Sequence, residues 1–168
     1  MRRLHEVDGS ARGMIELLDE VEIGVSSDTV WQWLEQMPEH YREWHPDHIS
    51  CRWVRGDAAV PGAVMEVVER LHGRRHRLRM TLTHVEPGRR VEYRIAPGLG
   101  GAFEVEPADG GSRFTAALRI GVSATLLGAI VDRLVRLAAG GRIASIRQHQ
   151  AEEGANLKAL LEHGSVPE

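Results

Sequence analysis

The chain has a single cysteine, Cys51, among its 168 residues, so no disulfide can form within it. A cytoplasmic address fits that absence. Charge of neither sign is in excess: 21 Lys and Arg stand against 24 Asp and Glu, for a net charge of −3. Nothing in that balance favours DNA, RNA or acidic lipid as a partner. Long apolar runs are also missing. The longest, "ATLLGAIVDRLVRLAAGG" (124–141), is interrupted by Asp132, Arg133 and Arg136, which makes it an amphipathic helix and not a membrane span. No apolar stretch follows the opening "MRRLHEVDGSARG", so no signal peptide is expected. Repeats, low-complexity segments and linkers are absent too, and residues 1–168 read as one domain.

What is present is an ordinary soluble composition, 42% apolar and 27% charged. A chain of this length buries roughly 70% of its unfolded surface, enough for a core and an enclosed pocket. Strands are expected at 14–25, 48–54, 63–71, 76–85, 90–96, 101–107 and 113–122. A helix is expected over 26–37, capped by Ser26 or Ser27 and stopped by Pro38. From about 124 the apolar period becomes helical and holds to Leu161, with a kink expected at Gly140-Gly141. The basic run "RLHGRRHRLRM" (70–80) alternates with apolar residues and reads as a hairpin with a basic outer face. This order predicts an α+β fold in which a curved antiparallel sheet wraps around a long C-terminal helix, with a cavity between them.

Strand alternation then picks out polar side chains on apolar faces. Glu69 shares a face with Met65, Val67 and Leu71, where an unpaired carboxylate would be costly. His76 and His84 bracket the apolar row Leu78, Met80 and Leu82. On the last helix Glu153 falls inside the stripe Ile143, Ile146, Leu157, Leu160 and Leu161, and His149 lies one turn earlier on its edge. Glu152 points toward solvent. The stretch "HYREWHPDHISCRW" (40–53) supplies His45, extended because it precedes Pro46, and His48, which opens a strand. Simple alternation sets His48, Ser50, Arg52 and Val54 on one face, with Ile49, Cys51 and Trp53 on the other. Two imidazoles and two carboxylates suit Zn²⁺ better than Fe²⁺ or Mn²⁺, and one cation would compensate both acids at once.

"YREWHPDHISCRW", "EVVER" and "HQAEEGANL" together resemble the diacetylphloroglucinol hydrolase-like branch of the START-like (polyketide cyclase) superfamily. The element order resembles the helix-grip fold of that superfamily. The resemblance implies cleavage of a carbon–carbon bond between an aromatic ring and an acyl group, with zinc held by His48, Glu69, His149 and Glu153 and with His45 as rival to His48. It also implies an aromatic hydroxyl near the substrate at Tyr41. Tyr41, His76 and His84 are then the candidate proton donors, and Trp53, Met65, Met80 and Tyr93 the candidate pocket wall. A second reading is a metal-free binder of a hydrophobic ligand or polyketide, or a cyclase, in which Glu69 pairs with Arg52 or another arginine. A third is a domain that forms a homodimer through the segment 125–141.

Overall fold

The structure, a computed structural model, describes residues 3–9, 14–71, 73–121 and 126–164, and side chains within 15–71, 73–121 and 144–164. Among the described residues eight strands form one antiparallel sheet: β1 (Arg3–Gly9), β2 (Met14–Ile23), β3 (His48–Arg55), β4 (Val64–Leu71), β5 (Arg74–Glu86), β6 (Arg90–Ala96), β7 (Leu99–Ala108) and β8 (Gly111–Gly121). Their order across the sheet is β1-β2-β8-β7-β6-β5-β4-β3. Two short helices, α1 (Ser27–Glu35) and α2 (Met37–Trp44), join β2 to β3, and α3 (Leu126–His163) ends the fold. The expected α+β helix-grip architecture is therefore the observed one.

Local chemistry accounts for most boundaries. Ser26 caps α1, its hydroxyl accepting from the Thr29 N–H at 3.2 Å. Pro38 does not simply halt the chain's helical course. It sits in the first turn of α2, where its missing N–H costs nothing, so a second helix covers residues expected to be a loop. β1 was not expected either. "RLHEVDG" has no apolar face, and only its pairing with β2 reveals it as a strand. α3 is one element through Gly140 and Gly141. The proposed dimerising segment 125–141 lies outside the described side chains.

On β2 every second residue is buried: Ile15, Leu17, Asp19, Val21 and Ile23, while Glu16, Glu20 and Glu22 face out. That alternation reconciles an acidic sequence with a core strand. Val30, Trp31, Trp33 and Leu34 of α1 and Met37, Tyr41 and Trp44 of α2 join the inner face of the sheet in one core. The hairpin β4–β5 carries the expected basic outer face. Glu66 is nearly inaccessible there, with Arg52 at 2.7 Å and both Arg77 and Arg79 at 3.8 Å. Arg52 is thus committed to Glu66 and does not reach Glu69, which corrects the pairing considered for a metal-free site.

Candidate functional site

Two irregularities in the sheet decide which histidines face inward. Regular alternation would put His48 on the outer face beside Arg52. A register shift between His48 and Ser50 adds a residue, so His48 lies opposite Glu69 and turns inward with it. A second shift, between Leu82 and His84, has the reverse effect. His84 lies opposite Glu92, bonds Glu86 at 3.1 Å and is about half exposed, so it points away from the interior and is no proton donor to a cavity ligand. His76 stays half-buried at the register position opposite Glu69.

α2 prepares the site from one side. Tyr41 and Trp44 are one turn apart on its buried face. The Tyr41 ring stacks flat on His48, centroids 3.9 Å apart with 1° between planes. Its hydroxyl donates to Glu69 Oε2 at 3.2 Å, and its backbone carbonyl lies 3.0 Å from His48 Nδ1. A carbonyl only accepts, so Nδ1 carries the proton and Nε2 of the neutral ring presents a lone pair. That lone pair faces Glu153 Oε1 at 2.9 Å. His45 is held in the opposite tautomer. Its Nδ1 accepts from the Asp47 N–H at 3.1 Å, so Nε2 donates to Glu152 at 3.2 Å.

α3 closes the site from the other side. Glu153 Oε1 is 3.7 Å from His149 Nε2, and that nitrogen is buried without a hydrogen-bond partner. The Trp44 indole N–H donates to the Glu153 backbone carbonyl at 2.8 Å and fixes this turn of the helix against α2. One ring nitrogen from each of His45, His48 and His149 falls within 4.8 Å of the others. The structure thus brings His48, His149 and Glu153 together, adds His45 beside them instead of choosing between the rivals, and holds Glu69 next to His48 through Tyr41.

Burial sets the electrostatics. It pushes Glu153 up to about 7, with repulsion from Asp19 adding to it and the His149 and His45 rings opposing it. Glu69 is raised by burial and then by Glu153. Burial lowers His48 to about 4 and also lowers His149. Tyr41 is raised by burial and by the two glutamates, so its hydroxyl stays protonated. Neutral imidazoles beside carboxylates that resist ionising form a set short of positive charge. An orphaned Nε2 and a lone pair aimed at a carboxylate oxygen are what a divalent cation would satisfy. Without a cation, a proton shared by His48 and Glu153 satisfies the same pair.

The linkage has a testable sign. Glu153, raised in the fold, stabilises below about 4.5, and that contribution is lost as pH rises toward 7. His48, lowered in the fold, stabilises above about 6.5, and that contribution is lost as pH falls toward 4. The two slopes oppose between about 4.5 and 6.5. Metal-free protein is expected to show little change in urea midpoint across that window, whereas Glu153→Gln should gain stability steadily from pH 4.5 to 6.5. Parallel curves for the two proteins would refute the coupling.

Beside this cluster lies a cavity of about 230 Å³ between the sheet and α3. Met80, Tyr93, Phe103, Leu118 and Ile120 form its sheet wall, Ile146, His149, Gln150 and Glu153 its helix wall, and Tyr41, Trp44 and Glu69 its acidic end. Of the expected wall residues, Met80 and Tyr93 line this cavity. Trp53 and Met65 instead border a void of about 20 Å³ nearer α1. Tyr93 leans over Gly101, where a Cβ would collide with its ring and with the Ala117 carbonyl. Sequence reasoning missed Trp44, Asp19 and Gln150. The spacing of Ile146, Gln150, Glu153 and Leu157 along one helix face would have placed Gln150 in the buried row.

A curved antiparallel sheet gripping a C-terminal helix around an apolar cavity with a polar end defines the helix-grip fold. The chain belongs to the polyketide cyclase / dehydrase and lipid transport family, whose sequence profile matches residues 14–162. Solved structures share the fold at low identity. A Rhodobacter sphaeroides protein is 18% identical with a TM-score of 0.65, the match covering 95% of this chain and 97% of that one. A Thermus thermophilus protein is 14% identical with a TM-score of 0.65, over 89% and 99%. The di-domain ARO/CYC BexL of the BE-7585A biosynthetic pathway is 17% identical with a TM-score of 0.65, over 89% of this chain and 50% of that one. No match is found among curated proteins. No helix among the described residues is long and apolar enough to cross a membrane.

Proposed function

We propose that the protein is a zinc-dependent hydrolase that takes a small acylated phenolic or diketone-like compound into the cavity and cleaves the carbon–carbon bond joining ring and acyl group. The observation that carries this reading is the convergence of the His48 lone pair, the partnerless His149 Nε2 and Glu153 at the end of an apolar cavity. His48, His149, Glu153 and Glu69 would hold the ion, with His45 bracing Glu152. When bound, Zn²⁺ supplies a Lewis acid able to polarise a carbonyl oxygen. The chain's residues do the rest. Water adds to the acyl carbon, the ring–acyl bond breaks, and the acyl group leaves as a carboxylic acid. Tyr41, its hydroxyl oriented by Glu69, is the candidate proton source for the ring carbon. The apolar walls keep water from the remainder of the ligand. His76 borders the site from β5 as the other candidate acid.

A specific observation favours a second reading. His48 and Glu153 form a closed hydrogen bond at 2.9 Å that needs no metal, as suits a ligand carrier or cyclase. Metal analysis of protein purified without chelators separates the two. About one equivalent of zinc is expected, and less than about a tenth of an equivalent of any transition metal would leave the carrier reading.

A further inference from the structure

Gln150 lies within the cavity wall, and its amide can be oriented without ambiguity. Nε2 donates to the Ala116 carbonyl at 2.8 Å and more loosely to the Leu17 carbonyl at 3.5 Å. Both partners only accept, so the nitrogen must face them and Oε1 must face away. Gln150 is 8% exposed and lines the cavity, and among the described residues no donor reaches Oε1. An acceptor open to a cavity is satisfied by water until an occupant displaces that water, and the occupant must then supply a donor. Tyr93 makes a matching statement from the sheet. It sits two strands from β8, through Gly101 and Leu118, about 10 Å by strand spacing. Its ring leans over Gly101, and none of the described hydrogen bonds involves its hydroxyl, which opens into the cavity. A fixed acceptor and a phenolic hydroxyl thus line the same cavity whose polar end holds Glu69, His149 and Glu153.

We infer that Gln150 and Tyr93 select a ligand bearing hydroxyl groups on its ring, Gln150 Oε1 accepting from one of them and the Tyr93 hydroxyl bonding a second polar substituent. This rests on the cavity being the ligand site, as proposed above, and not on the cation. A cavity of about 230 Å³ suits a single substituted ring. The selection works by exclusion as much as by attraction, because a methyl group in place of the hydroxyl displaces water from Oε1 without replacing its donor.

Calorimetric titration with two probes of one shape, 2,4-dihydroxyacetophenone and 2,4-dimethylacetophenone, tests it. The dihydroxy probe is expected to bind at least about tenfold more tightly to the native protein. Gln150→Met and Tyr93→Phe should each reduce that ratio to about threefold or less. Tyr93→Phe removes an atom without a protein partner, so it reads the ratio in a folded protein even if Gln150→Met is unstable. Equal affinity of the native protein for both probes overturns the inference alone, as does a ratio unchanged in Tyr93→Phe. No binding of either probe overturns it together with the ligand-cavity reading.

Discussion

Excess Zn²⁺ is expected to raise the melting temperature by about 8–16 °C, and Glu153→Ala is expected to remove that rise. The figure follows from linkage: an ion present at about a thousand times its Kd contributes about 4 kcal/mol, and a domain of this size shifts about 2–4 °C per kcal/mol. Glu153 is the informative position because its Oε1 faces both His48 and His149. Alanine there deletes the donor that faces both imidazoles and leaves only Glu69, which Tyr41 engages, as a carboxylate in the set. Without zinc, Glu153→Ala should melt at or slightly above the native temperature, since it removes an acid that burial holds partly protonated. A metal-free carrier gives no zinc response in either protein, and such a result in differential scanning fluorimetry would rule out the metal site while leaving the fold and cavity intact.

Trp44→Ala should be the most destabilising single change near the site, by about 4 kcal/mol. Trp44 is 1% exposed and meets Trp33, Tyr41, His48 and Phe103 edge-on, with centroids 5.1 to 6.4 Å away. Truncation opens a large void and also frees the carbonyl of Glu153. Trp44→Phe restores most of the packing but not the N–H donor. It should keep most of the stability and lose part of the zinc response, because the turn of α3 carrying Glu153 is no longer tied to α2. Urea midpoints at constant slope measure the first effect. A loss below about 1 kcal/mol for Trp44→Ala would mean that the aromatic cluster is not what holds α2 against α3.

Periodicity made most of the fold legible, because seven strands and a long helix carry clear patterns. β1 has no apolar face, so nothing local distinguished it. Pro38 was legible as an interruption but ambiguous in direction, since the same residue ends one helix and begins another. Within the site, Glu69 and the His149–Glu153 pair could be placed because their strand and helix are regular. His48 could not be placed by alternation: a one-residue register shift reverses the side it faces, and bulges leave no signature in a period-2 pattern. His84 misled for the same reason in the opposite sense. The tautomers of His45 and His48 depend on which backbone group each ring meets, and only the folded chain fixes that.

The His48–Glu153 contact joins residues 105 positions apart. Closure of a loop that long belongs late in folding, after β4–β8 have paired and the last helix has docked. Until then the donors are scattered, and an ion has nothing to grip. Zinc should therefore slow unfolding while leaving the refolding rate nearly unchanged, so that it acts as a brake on opening and not as a nucleus for assembly.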